Sequence, residues 1–391
     1  MNKTFLIKWN CCSLISLSKQ SIGMFFFICL FSACVKNTTT NDSIVNDSDI
    51  EVITSKLPIS SFVKIKRMIP LETNNTSLLG NIEKIMKRND RYFIKSSNRS
   101  LAVFDQSGMY LNAIGNLGNG PEEYPTLLDF DVDSEFVYVL TTSRINIYTQ
   151  QGKYVKFIPL LLNVAGFKVV KDKILLFVLG DSHVVHLIDL DGVTIEKKLS
   201  RDPALRLTKA ISFVRYGNDY LLFPKGHSND ILAYNIAKSK FENLNYLSSS
   251  NNISPEYSNN TLDANKIDHE DEPNKRLFDG LTSTSSQTIF GSIEGDKIIL
   301  WVKDVAKNLT TAYSFAALID DLTYTSSDFL VKENTDGGDV FLSYLYPYSL
   351  EDGLKKNQKL SENENFKFIE AMLENLDIEE SNPVIIEYIF K

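Results

Sequence analysis

Val103-Phe104-Asp105-Gln106-Ser107-Gly108-Met109-Tyr110-Leu111 decides the architecture of this chain, because the pattern returns. A hydrophobic run, a turn of the form aromatic-Asp-x-x-Gly and a second hydrophobic run line up with Ile147-Tyr148-Thr149-Gln150-Gln151-Gly152-Lys153-Tyr154-Val155, where Thr149 replaces the Asp. They line up again with Leu187-Ile188-Asp189-Leu190-Asp191-Gly192-Val193, where Ile188 replaces the aromatic residue. The glycines are 44 and then 40 residues apart, and a fourth copy at Ala233-Tyr234-Asn235 places Lys238 where the glycine would stand. A period of this length is that of a four-stranded propeller blade.

An earlier strand accompanies each copy: Tyr92-Phe93-Ile94, Phe136-Val137-Tyr138-Val139-Leu140, Ile174-Leu175-Leu176-Phe177 and Tyr220-Leu221-Leu222-Phe223. Lys297-Ile298-Ile299-Leu300-Trp301 reads as a fifth. Each is a β-branched or aromatic run entered from polar or glycine residues, as a hairpin requires. The sixth unit must come from both chain ends, the alternating run 62–71 and the apolar run 383–390. Their pairing would close the ring and remove two open edges. The expected fold is therefore all-β, a six-bladed β-propeller of four-stranded blades over 61–391. It carries one C-terminal helical insertion at 361–376. There Ser361 and Glu364 have capping-box spacing, and Phe368, Ile369, Met372, Leu373 and Leu376 share a face. Residues 247–286 are polar and read as a long loop.

The first 41 residues contain no acid, and Ile22 to Ala33 is an apolar stretch of 12 residues. It is too short for the roughly 20 residues that cross a bilayer. Residues 1–33 read as a signal peptide, ending in Leu30-Phe31-Ser32-Ala33-Cys34, which is similar to a bacterial lipobox with Cys34 as the lipidated residue. Residues 34–60, rich in Asn, Thr, Ser and Asp, read as a flexible tether. All four cysteines, Cys11, Cys12, Cys29 and Cys34, fall at or before this point, so the mature chain lacks the thiols for a disulfide framework or thiolate metal site. Losing Lys3, Lys8 and Lys19 takes the formal charge from −8 to −11, which argues against a nucleic-acid partner.

Gly115-Asn116-Leu117-Gly118-Asn119-Gly120-Pro121-Glu122-Glu123-Tyr124-Pro125, then Asp131-Val132-Asp133, Val137-Tyr138-Val139, Arg144-Ile145-Asn146-Ile147-Tyr148 and Gly152-Lys153, resembles one complete NHL-type repeat. The version is that of the six-bladed β-propeller lipoproteins of Bacteroidetes-type bacteria. Ile69-Pro70-Leu71-Glu72-Thr73 and Asn382-Pro383-Val384-Ile385-Ile386 are similar to that family's opening and closing segments, so the resemblance spans 62–391. Glu122 departs from the more usual Gly-Pro-Gly-Glu-Tyr. The resemblance implies a propeller and a cell-envelope address, lipid-anchored at the outer membrane, and no common activity.

Two clusters are candidate sites. Asp129, Asp131 and Asp133 alternate with apolar residues and so share one strand face. They suit a calcium or substrate site on the propeller axis or structural hydrogen bonds, but not an EF-hand, since Ser134 and Leu140 replace its glycine and glutamate. Gly118, Gly120, Glu122, Glu123 and Tyr124 form a loop that suits ligand contact at a propeller mouth or an inter-blade connection with positive φ. It lacks the Gly-Lys-Ser/Thr ending of a phosphate cradle. His183 and His186, three apart in a strand, point to opposite faces, and His227 and His269 lie in turn and loop sequence. No Gly-x-Ser-x-Gly elbow occurs. Tyr344, Tyr346 and Tyr348 alternate as one strand face, suited to core packing or to stacking on sugar rings. The reading is a monomeric, lipid-anchored, non-catalytic binding or scaffold module for an envelope protein or glycan, without a cofactor. The alternative is a calcium-dependent lyase or lactonase acting on carbohydrate.

Overall fold

The computed structural model describes residues 50–97, 100–200, 213–216, 220–224, 230–245, 276–283, 287–294, 297–304, 307, 309–325, 333–334 and 340–391. Cys34, the leader, His227, His269 and the 247–275 part of the long insertion lie outside them.

Six antiparallel sheets of four strands, taken in sequence, form the blades of a propeller. Blade 1 comprises Ile82–Arg88, Arg91–Ser96, Leu101–Asp105 and Tyr110–Ile114. Blade 2 comprises Asp129–Val132, Phe136–Leu140, Arg144–Thr149 and Tyr154–Pro159, and blade 3 Asn163–Val170, Lys173–Leu179, His183–Asp189 and Thr194–Ser200. Blade 4 is Val214–Tyr216, Tyr220–Pro224, Asp230–Asn235 and Lys240–Asn245. Blade 5 begins with Arg276–Ser283, so the expected loop ends before this strand, and continues with Gln287–Glu294, Lys297–Asp304 and Leu309–Ser314. The Lys297 run is thus a third strand, whereas its sequence counterparts in blades 1 to 4 are second strands.

Blade 6 joins the two chain ends. Glu333–Asn334, Phe341–Leu345 and Val384–Phe390 come from the C-terminal part, and Val63–Pro70 pairs with Val384–Phe390 as the outermost strand. The expected ring closure is therefore what the chain does. Val52–Ile53 adds a fifth, parallel strand outside blade 5, and Leu57–Pro58 pairs with Leu318–Ile319. Among the described residues of the stretch read as tether, Val52–Ile53 and Leu57–Pro58 thus pair with the propeller.

The repeated glycine has a double reason. In blades 1 to 3 the third and fourth strands are joined by a three-residue turn that ends on Gly108, Gly152 or Gly192, at φ 90°, 85° and 87°. Each glycine N–H donates to the carbonyl of Asp105, Thr149 or Asp189. A Cβ at these glycines would meet the carbonyl oxygens of Pro70, Ala113 and Pro159 at 2.2, 2.5 and 2.9 Å. Each of those carbonyls belongs to the outermost strand of the preceding blade, so the glycine is also where adjacent blades touch. In blade 4 the turn runs one residue longer, Ile236 to Ser239, and Ser239 at φ 51° replaces the glycine.

That extra residue is offset in the strands. In blades 1 to 3 the outer strand carries a one-residue bulge at Leu111, Val155 and Ile195, whereas blade 4 pairs without a shift from Asp230↔Asn245 to Asn235↔Lys240. Bulges of this kind twist an outer edge away from further pairing.

Aromatic and branched side chains fill the blade interfaces. Tyr92, Ile94 and Phe104 of blade 1 pack with Leu342 and Ile385 of blade 6, and Phe93 and Val103 with Phe130 and Val139 of blade 2. Each large side chain so buried contributes about 2 kcal/mol.

The helical insertion contains two helices, α1 (Pro347–Lys356) and α2 (Glu364–Leu373). The cap of α2 is Asn363, whose side chain accepts from Asn365 N–H, in place of the expected Ser361. Phe366, Ile369 and Leu373 face the core, while Phe368 stays 55 % exposed. Starting at Glu364 puts Phe366, three and seven residues before Ile369 and Leu373, on the buried stripe.

Candidate functional site

The innermost strand of each blade is a sheet edge, and its outward N–H and C=O groups need partners. Blade 2 supplies them from its alternating acids. Asp129 and Asp131 share a strand face, as expected, and reach blade 3. Asp129 Oδ2 accepts from Phe167 N–H at 3.2 Å, and Asp131 Oδ2 from Val169 N–H at 2.7 Å. Lys168 Nζ donates to Asp131 Oδ1 at 2.8 Å. On the other side Lys84 of blade 1 donates to Asp129 Oδ1 and to the Phe130 carbonyl, both at 2.8 Å. The inner rim between blades 1, 2 and 3 is thus a chain of lysine and aspartate side chains closing two strand edges.

Asp133 leaves this face. It lies in the turn beyond the strand, where Oδ1 accepts from Glu135 N–H and Phe136 N–H at 2.7 and 2.6 Å and Oδ2 accepts from Tyr138 O–H at 2.8 Å. Burial, with Asp133 beside it, pushes the Tyr138 hydroxyl well above the usual phenol range. The three aspartates therefore do not meet at one point. Among the described residues no three His, Cys, Asp or Glu side chains converge in a metal-binding arrangement.

The 115–124 segment is an inter-blade connection locked by its own residues. Tyr124 is fully buried, donates to the Ile114 carbonyl at 2.6 Å and accepts from Leu101 N–H at 3.1 Å. Burial raises its pKa. Glu123 folds back so that Oε2 accepts from Gly120 N–H at 2.9 Å. A Cβ at Gly118 would lie 2.1 Å from the same carboxylate oxygen. Gly118 and Gly120 are thus small to admit Glu123, and the residue with positive φ in this loop is Gly115, at 59°. Arg144 and Asn146 donate to the Glu123 carbonyl, and Tyr148 O–H to that of Glu122 at 2.8 Å. Burial lifts Tyr148 to about 12. The Glu122 side chain stays exposed.

The seam between blades 6 and 1 holds a second charge cluster, which sequence reasoning missed. Glu387 is fully buried, and its Oε1 accepts from Lys87 Nζ and Tyr92 O–H, both at 2.6 Å. Arg67 Nε stands 3.8 Å from Oε2, and the guanidinium also donates to the Gln106 carbonyl. Burial pushes the Glu387 carboxyl up, but the bonds from Lys87 and Tyr92 and the charges of Lys87 and Arg67 together hold it below its ordinary value. A glutamate in the otherwise apolar run 384–390 was the available signal.

His183 and His186 do point apart. His183 is partly exposed beside Ser182, while His186 is fully buried with no hydrogen bond at either ring nitrogen. Asp181 Oδ2 lies 3.7 Å from its Nε2. Burial lowers the His186 pKa, outweighing the opposing effect of Asp181.

Apolar side chains stand exposed on the inter-blade connections at one end of the propeller, as others do on outer strands and on turns such as those of Met109 and Val193. Leu78, Leu117 and Leu128 are 40, 41 and 38 % exposed, and Leu161 fully so. Tyr348 at the start of α1 belongs to the same end and is 53 % exposed.

The fold and these clusters define a six-bladed β-propeller closed by strands from both chain ends, with the described inner-rim charges of blades 1 to 3 paired internally. The chain belongs to the family described as "Domain of unknown function (DUF4934)", whose model matches residues 44–388. A crystal structure of a Bacteroides fragilis NCTC 9343 protein assigned to export is similar in fold. It has a TM-score of 0.69 at 17 % identity, covering 87 % of this chain and 100 % of that one. BamB from Moraxella catarrhalis is a more distant match, with a TM-score of 0.38 at 12 % identity over 63 % of this chain and 66 % of that one. No curated protein matches the chain. Among the described residues no helix is long and apolar enough to cross a membrane.

Proposed function

We propose that this chain is a cell-envelope lipoprotein, anchored at the outer membrane through lipid on Cys34, whose propeller is a non-catalytic binding or scaffold module for an envelope protein or glycan. The observation that carries the reading is a division of labour. The ionisable side chains described on the inner rim of blades 1 to 3 and at the seam are spent on each other and on strand edges, while apolar side chains stand on the inter-blade connections. Catalysis asks for polar groups held ready for a substrate. Recognition of a partner asks for apolar surface on a rigid frame, with binding residues on its loops. The acid-free leader and the export assigned to the Bacteroides fragilis neighbour support the address.

Photo-crosslinking in cells tests it, with the probe placed at Leu117, at Leu161 or at the outer-strand residue Val155. Discrete adducts at Leu117 and Leu161 but not at Val155 are expected. Adducts at none of the three would overturn the use of this face. Metabolic labelling with a radioactive fatty acid tests the anchor, and label surviving in Cys34→Ala would reject it.

A further inference from the structure

The geometry points to a subsite for a neutral pyranose of a glycan on the tyrosine stack where blade 6 enters α1. This inference rests on the binding-module reading and names the ligand class for one part of that face. Tyr344 O–H donates to the Ile82 carbonyl at 2.9 Å, and the Tyr346 ring packs edge-on against that of Tyr344 with centroids 6.0 Å apart. Ile82 opens the innermost strand of blade 1, so Tyr344 is tied to the rim of the central channel and Tyr346 packs against it. Tyr348 lies over Tyr346 with ring centroids 5.5 Å apart and planes 14° from parallel. Pro347 at the first position of α1 fixes the backbone from which Tyr348 projects. One ring face is therefore covered and held while the residue keeps 53 % exposure. The other part of that aromatic surface faces solvent.

The π face of tyrosine carries negative charge density. The axial C–H bonds on one face of a pyranose are weakly positive, and that face is flat and of matching size. Three, four and seven residues on from Tyr348, the same side of α1 presents Glu351, Asp352 and Lys355. Glu351 pairs with Lys355 at 2.7 Å and Asp352 with Lys356 at 2.6 Å, both on the surface, where such pairs are weak and easily rearranged. Carboxylates beside an aromatic face accept hydrogen bonds from vicinal hydroxyls, which an apolar or proline-rich peptide does not offer. The same carboxylates, on a chain of formal charge −8, repel a polyanion.

Calorimetric titration of the detergent-solubilised full chain against soluble glucan, mannan, galactan and xylan tests this. Binding to at least one is expected, weakened roughly tenfold in Tyr348→Ala. Glu351→Gln with Asp352→Asn is expected to weaken it less, and Leu161→Ser not at all. Tyr348, Asp352 and Leu161 are exposed and Glu351 is half-buried, and unchanged melting curves establish that the variants fold. A polysaccharide that binds Tyr348→Ala as tightly as the parent overturns the subsite and leaves the binding-module reading intact. Absence of binding to all four overturns the subsite too, and the crosslinking at Leu117 and Leu161 then decides the wider reading independently. Tyr348-dependent binding of a proline-rich peptide, with no polysaccharide bound, would assign the stack to peptide and likewise overturn it.

Discussion

Asn382 Nδ2 donates to the Glu72 carbonyl oxygen at 2.7 Å, joining positions 310 residues apart. The same buried side chain donates to the Ser77 carbonyl at 2.9 Å and accepts from Leu79 N–H at 2.8 Å. One amide thus satisfies three backbone groups in the loop that leads from the outer strand of blade 6 into blade 1. Asn382→Ala is expected to cost about 3 kcal/mol, because buried backbone groups lose their partners. Denaturant unfolding measures it. Deleting 384–391 is expected to abolish the cooperative transition, since blade 6 then loses a central strand.

Glu387 makes the seam sensitive to acid. Its folded pKa is depressed below 4.5, so its contribution is complete above that value and is lost as pH falls through the folded pKa. Glu387→Gln strands Lys87 and Arg67 beside a neutral amide and is expected to destabilise the protein at pH 7 by about 3 kcal/mol. Between pH 4.5 and 3 the variant is expected to lose less stability than the parent. Parallel curves across that range would reject the assignment.

His186 has the opposite charge sign but the same direction with pH. Its folded pKa lies below 6.5, so as pH drops past 6.5 the unfolded chain takes up the proton first and the fold weakens. His186→Met removes two buried nitrogens without hydrogen bonds, and the expected gain is about 1 kcal/mol at pH 7. Thermal melts from pH 7.5 to 5.5 are expected to be flatter for the variant. Asp181, Lys197 and His183 also surround this site, so their charges set the residual slope.

The repeat glycines make a paired prediction. Gly152→Ala must hold a Cβ at φ 85° and 2.5 Å from the Ala113 carbonyl, at a cost of about 2 kcal/mol. Ser239→Gly relieves a positive φ in the equivalent turn, and its expected gain is about 0.5 kcal/mol. Equal effects in the two turns, read from midpoints in urea, would contradict the glycine argument.

Asp131 is held by Lys168 and the Val169 amide, which ties blade 2 to blade 3. Asp131→Asn is expected to cost about 2 kcal/mol by leaving Lys168 poorly matched. Millimolar calcium is expected to leave the melting temperature of the parent unchanged. A rise of several degrees would return the three aspartates to consideration as a metal site.

What was legible in the sequence was local and periodic. The aromatic-Asp-x-x-Gly turn is specified by its own residues, since Asp105 Oδ1 accepts from Ser107 N–H and Met109 N–H within five residues. Repetition of that turn carried the blade period, and the alternating runs at the two chain ends carried the closure. Tertiary structure decided everything that depends on which blade faces which. The spacing of Asp129, Asp131 and Asp133 gives one strand face, but only the neighbouring blades place Lys84 and the Phe167 and Val169 amides against it and turn Asp133 away. The glycines of the 115–124 loop looked like room for a ligand, yet Glu123 occupies that room. Glu387 and Asn382 gave no periodic signal, because their partners lie about 300 residues away and meet them only when the ring closes. A sequence records what each residue asks of its near neighbours. The folded ring determines which distant partner answers.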